Sequence, residues 1–171
     1  IVNDAQRDQV YTRKLAKTIV DRYHKENIVL GSHLVAFTLF HLIRSQHKNL
    51  VIYDFLRLNP LDFEFTLENF IASVENIKEE LIMLESNGEI KLSNDVFNLT
   101  TEEMVRKGIK EVGEYHDKRP VQLTKRREIV RSEDLNLLLF YSNRLEHYKL
   151  EKSLYEETVV NITEVVQMQE V

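Results

Sequence analysis

Cysteine is absent from this 171-residue chain, and glycine and proline are scarce, with four and two residues respectively. The absence of cysteine excludes disulfide frameworks, thiolate zinc sites, iron–sulfur clusters and cysteine nucleophiles. The scarcity of glycine and proline favours long helices over a turn-rich sandwich or barrel. The formal net charge of −5 is unlike the basic footprint of a dedicated nucleic-acid binder.

The start of the chain shows no targeting signal. It opens on Ile1, without a start Met and without the basic and apolar regions of a signal peptide. A chain of this length can bury roughly 70% of its unfolded surface, so it needs neither disulfides nor metals to fold. We therefore expect a cytoplasmic piece of a longer protein.

The residues predict no catalytic group, metal site or cofactor. The six histidines are dispersed, and none pairs with another at the i, i+4 spacing of a helical zinc site. Gly-rich phosphate loops, nucleophile elbows and kinase signatures are missing from the sequence. His116 beside Asp117 could be an oriented base, but no nucleophile stands near this pair in the sequence.

Two helices are predicted in the first quarter of the chain. The first runs from Asp4 to about Asn27, with an apolar stripe that recurs every fourth residue. The second runs from His33 to about Gln46, capped by Ser32, and is apolar nearly all round. It is far shorter than the ~20 residues that a bilayer requires. We interpret it as a central core helix; the alternative is a face that rests on a membrane or on another domain, through residues such as Leu34, Phe37 and Phe40.

The middle of the chain predicts a long helix, a β-hairpin and a capped helix. The long helix begins at Thr66 or Glu68 and stops at Gly88, and two extended runs within 89–99 then flank Ser93-Asn94-Asp95. Thr100 and Glu103 have the spacing of a capping box, which starts the next helix. The fold class is therefore mainly α, a helical domain with a small, winged-helix-like β-hairpin.

The C-terminal part of the chain divides into a last helix and an extension. Ser132-Glu133-Asp134 resembles a helix start, with acids where the helix dipole favours them. We predict a single helical domain over residues 1–150 and an extension over 151–171. Within this extension, Thr158–Val166 reads equally as helix or strand.

A winged-helix arrangement raises the question of DNA binding. Between Glu68 and Lys91 the chain has six acids and two bases. Duplex binding depends on cations that release counterions from the phosphates, so this surface would repel DNA. We expect no nucleic-acid partner, and a structural or protein-binding winged helix is the better interpretation.

A basic stretch follows the capped helix. It has six bases against two acids between Asp117 and Arg131. Arginine forks suit phosphates and carboxylates, so the stretch could face an anionic membrane, a phosphorylated ligand or an acidic partner. The alternative is a solvated loop paired with the protein's own acids. The candidate anion-facing residues are Lys118, Arg119, Lys125, Arg126, Arg127 and Arg131.

Several segments resemble one family. The segments 11–36, 113–120 (Gly-Glu-Tyr-His-Asp-Lys-Arg-Pro) and 139–145 (Leu-Phe-Tyr-Ser-Asn-Arg-Leu) resemble the C-terminal region of the large glycerol-3-phosphate acyltransferases, particularly the bacterial ones. That family is membrane-associated and acylates the sn-1 hydroxyl of glycerol 3-phosphate. The resemblance implies a place at the cytoplasmic face of the membrane and a role in phospholipid synthesis.

The resemblance transfers no catalytic residue. The family's motif is a His followed five residues later by an Asp, and this chain has no such pair. Its histidines are followed at that distance by Val29, Thr38, Gln46, Ile52, Val121 and Lys152. The resemblance implies instead that the chain packs on an N-terminal catalytic domain, through the apolar helix 33–46, while the basic stretch approaches the membrane or the substrate phosphate. A helical regulatory module unrelated to lipids is the alternative.

Overall fold

The structure, a computed structural model, describes residues 4–155 and is mainly helical. Short strands form a three-stranded antiparallel sheet and a separate parallel pair. The elements in chain order are α1 (Asp4–Glu26), β1 (Ile28–Val29), α2 (Gly31–Ser45), α3 (Ile52–Phe55), a 3₁₀ turn (Pro60–Asp62), β2 (Phe65–Thr66), α4 (Leu67–Ser86), β3 (Lys91–Leu92), α5 (Asn94–Asn98), α6 (Thr101–Glu111), β4 (Gln122–Thr124), β5 (Ile129–Arg131), α7 (Leu135–Ser142) and a 3₁₀ turn (Glu146–Tyr148).

The centre of the fold is α2, as its sequence predicts. Every residue from Leu34 to His41 is buried, and the helix packs against α4, α6 and α7. A helix that is apolar all round must have neighbours on all sides to be stable in water. The core continues past residue 150, because Leu154 is also buried.

Two glycines bring α2 and α6 into close contact. A Cβ added to Gly108 would lie 2.9 Å from Val35 Cγ2 and 3.0 Å from the Gly31 carbonyl oxygen. A Cβ added to Gly31 would lie 2.8 Å from Met104 Cγ. Such distances are below ordinary van der Waals contact, so the two helices approach closely because these positions have no side chain.

The winged-helix-like arrangement is present, but its hairpin is not the predicted one. The order of strands in the sheet is β2-β5-β4. Along the chain, α4 and α6 lie between β2 and β4. The hairpin is formed by β4 and β5, in the segment that the sequence marks only as basic, with Leu123 opposite Val130.

The prediction of a hairpin at 89–99 is wrong. Its first half contains β3, which pairs in parallel with β1, and its second half contains α5, which buries Val96. Ser, Asn and Asp are common both in turns and at helix N-termini, and here they begin a helix. The segment therefore turns at the expected place but continues as a helix.

The predicted helix ends are mostly confirmed. Thr100 and Glu103 form the capping box, and Asp134 accepts from the first amides of α7. Gly88 follows α4 with a φ of +72°. The predicted Ser32 cap is wrong: α2 begins at Gly31, two residues earlier than predicted, and the imidazole of His33 accepts from the Leu30 amide at 3.2 Å.

The first helix, α1, has nearly the predicted bounds but makes few contacts with the rest of the fold. None of its side chains is buried against the rest of residues 4–155. Among those residues no helix combines the length and the apolarity that crossing a bilayer needs. Residues 156–171, which include the undecided segment Thr158–Val166, lie outside the described residues.

The contact between α2 and α6 predicts the effect of Gly108→Ala. Alanine favours a helix over glycine by about 1 kcal/mol, but the added methyl overpacks the contact with Val35 and Gly31. We expect a net loss of about 2 kcal/mol in the free energy of unfolding, measured by urea denaturation. Lys110→Ala, on the exposed side of the same helix, is the control and should change stability little. A Gly108→Ala protein as stable as the parent would contradict the close contact.

Candidate functional site

The apolar stripe of α1 is exposed to solvent. We call the exposed side chains Tyr11, Leu15, Ile19, Val20 and Tyr23 the apolar face of α1; Leu15 is 62% exposed and Ile19 is 57% exposed. Successive residues of a helix are about 100° apart around its axis. In order around the helix, Leu15, Ile19, Tyr23 and Val20 therefore span an arc of about 140°. Between Val10 and Lys25 that arc contains no charged residue.

The opposite side of α1 is cationic. The segment from Val10 to Lys25 has five Lys or Arg residues and one Asp, in a chain whose net charge is −5. Lys14 and Lys17 project away from the apolar face, whereas Arg13 borders it beside Val20 and Arg22 lies between Tyr11 and Leu15, as the same angular spacing requires. The helix is therefore amphipathic with an uncovered apolar side, which is the pattern of a helix that packs on something.

The C-terminal end of α1 is attached to the rest of the fold. The imidazoles of His24 and His147 stack with their centroids 3.6 Å apart, and the Tyr148 hydroxyl donates to the His24 carbonyl at 3.0 Å. Burial, followed by the proximity of His24, lowers the pKa of His147. These contacts hold the base of the helix and leave its apolar face free.

The predicted docking residues have a different role. Leu34 and Phe37 are fully buried and Phe40 is 3% exposed, all within the core of this chain. The helix that carries them packs against α4, α6 and α7, so they are not available to another domain. The core-helix interpretation of α2 is therefore the correct one, and a docking surface has to be sought on α1.

The basic stretch divides into structural and free cations. The Arg119 guanidinium donates to the carbonyls of Ile109 and Lys110, at 2.8 Å each, and so satisfies the C-terminal end of α6. Arg131 donates to the Gln122 side chain at 2.9 Å and lies 3.4 Å from Glu64. Both side chains hold the hairpin against its neighbours.

The remaining predicted cations are exposed. Lys125, Arg126 and Arg127 occupy the turn between β4 and β5, and Lys118 lies in the loop after α6. The turn closes at Glu128, whose φ of +49° is unusual for a residue other than glycine. Glu128 also forms an ion pair with Arg106 of α6, at 2.8 Å, which ties the turn to the helix.

A cleft lies between α6 and this hairpin. We define the cationic cleft, of about 520 Å³, by its ten lining residues: Arg106, Ile109, Lys110, Arg119, Val121, Gln122, Leu123, Thr124, Lys125 and Glu128. The sequence identifies Arg119 and Lys125 as candidates but not Arg106 and Lys110. These two lie on α6, where the alternation of acids and bases gives no signal of a site.

His116 and His41 occupy different environments. His116 Nε2 lies 3.0 Å from the Tyr141 hydroxyl, on the surface, and no contact with an acid orients it. His41 is buried between Glu146, at 2.9 Å, and the Tyr155 hydroxyl, at 3.0 Å, and ties α2 to the C-terminal part of the fold. No group of three His, Asp or Glu residues within 4–155 could hold a metal ion.

His33 lies beside a second hollow, of about 620 Å³, at the base of α1. Burial, followed by the charge of Arg144, lowers the pKa of His33 to about 4. The imidazole is therefore neutral at physiological pH, as its role as an acceptor for the Leu30 amide requires.

Arg119 and the exposed arginines of the turn should contribute differently to stability. Arg119→Ala leaves the carbonyls at the end of α6 without their donor, so we expect a loss of about 2 kcal/mol in the free energy of unfolding by urea. Arg126→Ala removes the same side chain from the exposed turn and should change stability by less than about 0.5 kcal/mol. Equal effects of the two changes would refute the structural role of Arg119.

His33 should make the stability of the protein depend on pH. Because the unfolded His33 has a pKa near 6.5 and the folded one near 4, the unfolded chain binds more protons between these values. The free energy of unfolding should therefore fall as the pH falls from 6.5 to 4. His33→Gln keeps an acceptor for the Leu30 amide and removes the titration, so its stability should depend less on pH in this range. Identical pH profiles by urea denaturation would show that His33 does not contribute.

Comparisons with protein-family models, with curated proteins and with solved structures found no match to this chain. The resemblance to the acyltransferase C-terminal region therefore stays a prediction from the chain's own residues. No residue role is transferred from a relative, and any function rests on the apolar face of α1 and the cationic cleft.

Proposed function

We propose that this chain is a non-catalytic, C-terminal helical module of a glycerol-3-phosphate acyltransferase, in which it packs on the N-terminal catalytic domain and supports it. The observation that carries the proposal is the uncovered apolar face of α1. The partner is the catalytic domain of the same polypeptide, and the assembled enzyme works at the cytoplasmic face of the membrane in phospholipid synthesis.

The apolar face of α1 has the properties of an interdomain contact. Burial of a Leu or Ile side chain contributes about 1.5–3 kcal/mol, so Leu15 and Ile19 together offer a substantial driving force for docking. Tyr11 and Tyr23 add aromatic area with hydroxyls that tolerate the rim of an interface. Because no residue of α1 is buried against the rest of residues 4–155, the exposed area of this face is available to the partner.

The resembling segments also favour a packing module. Residues 27–36 run through β1 into α2, and residues 139–145 cover the end of α7. These two helices form the most extensive contact in the fold. Part of the resemblance thus lies in residues of this contact, which is what a supporting domain and its relatives would share; the rest lies in the exposed face of α1 and in the exposed loop residues 114–118.

A second candidate is a winged-helix-like protein-interaction or regulatory module unrelated to lipids. The sheet order β2-β5-β4 around α4 and α6 favours it. The two candidates differ in what precedes the chain. The coding sequence upstream of Ile1 should contain a His followed five residues later by an Asp under the first candidate, and a different domain under the second.

The proposal predicts the result of Leu15→Glu combined with Ile19→Glu. In the full-length enzyme, acyl transfer to glycerol 3-phosphate should fall strongly, because carboxylates on the apolar face cannot be buried against the catalytic domain. In the 171-residue chain alone, the same changes should shift stability by less than about 0.5 kcal/mol, since both positions are exposed.

The control is Lys14→Glu combined with Lys17→Glu, on the opposite side of α1. It changes the helix charge by −4, twice the −2 of the Leu15/Ile19 variant, but leaves the apolar face intact, so activity should be largely retained. Equal activity of the parent enzyme and the Leu15/Ile19 variant would overturn the docking role of α1. Loss of activity in both variants would point to charge rather than to the apolar face.

A further inference from the structure

The cationic cleft joins an apolar floor to a cationic rim. The floor contains Val121, which is fully buried, and Ile109 and Leu123 beside it. Among the lining residues four are cations and one, Glu128, is an acid, a net charge of +3 in a chain of net charge −5. Positive charge is thus concentrated at one concave site of an acidic protein.

Two of the rim cations are held in place. Arg119 uses one terminal nitrogen for the carbonyls of Ile109 and Lys110, and Arg106 uses Nε and one terminal nitrogen for Glu102 and Glu128. A guanidinium has five N–H donors in a rigid plane, so each arginine retains donors that are already oriented. Fixed donors lose little conformational freedom when a ligand binds.

The other two rim cations have no counter-ion among the described residues. Lys110 and Lys125 are exposed, and neither makes an ion pair with any residue of 4–155. They lie on opposite walls of the cleft, Lys110 on α6 and Lys125 on the hairpin turn. An anion between these walls would offset the repulsion among the four cations and would draw the turn toward the helix.

The size and floor of the cleft restrict the anion. Its volume of about 520 Å³ is in the range of small-molecule sites. Inorganic phosphate would leave the partly exposed Leu123 uncovered, whereas a phosphate on an apolar group would cover it. A DNA duplex is disfavoured because Glu102, Glu103 and Glu111 are exposed along α6.

We propose that the cationic cleft binds a phosphate monoester carried on an apolar group, with Lys110 and Lys125 as the clamping cations and the held guanidiniums of Arg106 and Arg119 as oriented donors. The apolar group lies against the partly exposed Leu123 on the floor of the cleft. Such a ligand could be a soluble organic phosphate or the headgroup of a phosphomonoester lipid; both present the same chemistry to the cleft. The inference is independent of the function proposed for α1.

The test uses phenyl phosphate as the probe and the full 171-residue chain. Amide shifts in a heteronuclear NMR titration should be saturable below about 10 mM and confined to α6 and the β4–β5 hairpin. Lys110→Gln combined with Lys125→Gln should weaken binding at least about tenfold, the loss expected for a charge-assisted contact. Both lysines are exposed, so thermal unfolding should confirm that this variant folds.

The matched control is Lys14→Gln combined with Lys17→Gln on α1, which removes the same charge elsewhere. It should bind phenyl phosphate like the parent; an equal loss in this variant would reduce the effect to non-specific attraction and overturn the site. Inorganic phosphate should bind more weakly than phenyl phosphate. The proposal would be overturned by equal affinities for the two phosphates or by a titration that does not saturate. It would also be overturned if a DNA duplex bound more tightly than phenyl phosphate and this binding were lost in the Lys110/Lys125 variant.

A second arm distinguishes the two sources of the phosphate. Phosphatidylcholine vesicles with phosphatidic acid, whose headgroup is a phosphate monoester, are compared with vesicles in which phosphatidylglycerol supplies the charge as a diester. Preferential sedimentation with phosphatidic acid, lost in the Lys110/Lys125 variant and kept in the Lys14/Lys17 variant, supports the cleft and assigns a lipid headgroup. Phenyl phosphate binding without that preference supports the cleft and assigns a soluble ligand.

Discussion

The burial of α2 on all sides is the constraint on which the rest of this structure depends. A helix with apolar residues around its whole circumference has to be surrounded, and α4, α6 and α7 surround it. The approach of α6 is set by Gly31 and Gly108, where a side chain would not fit. Because α6 is fixed in this way, its exposed edge with Arg106 and Lys110 faces the hairpin. The cationic cleft is therefore a consequence of how the core is packed.

The same constraint explains why α2 is buried whereas the apolar face of α1 is exposed. α2 has no polar side, so it can only be internal, whereas most apolar residues of α1 occupy one arc and most of its cations the other. Once α2 is covered by its own domain, α1 can remain outside with its polar side in water. The contacts of His24 with His147 and Tyr148 fix only the base of α1. An extended apolar face held in this way is suited to a partner that approaches from outside the domain.

Local patterns in the sequence predict the helices well and the sheet poorly. The periodicity of α1, α2 and α4, the Thr100–Glu103 capping box and the stop at Gly88 all depend on residues within a few positions of one another. The sheet depends on pairing between distant segments: Phe65 of β2 faces Val130 of β5. Three-residue strands have too little periodicity to identify them, and the Ser93-Asn94-Asp95 turn signal serves equally well as a helix start. The hairpin was thus predicted in the wrong segment although the winged-helix-like arrangement itself is present.

The candidate site could be predicted only in part, because the type of a residue shows its charge but not whether its side chain is already hydrogen-bonded within the fold. Arg119 and Arg126 have the same side chain in the same basic stretch, yet one is bonded to the end of α6 and the other is exposed on a turn. Only the tertiary fold brings Arg106 and Lys110 to the same place as Lys125. The fold also separates charge: the acids of α4 and the cations of the α6–hairpin edge belong to different elements, so a net charge of −5 does not describe any single surface. At physiological salt, screening weakens the interaction between exposed charges that are more than about 8 Å apart. An anion can therefore be attracted to this edge although the chain as a whole is acidic.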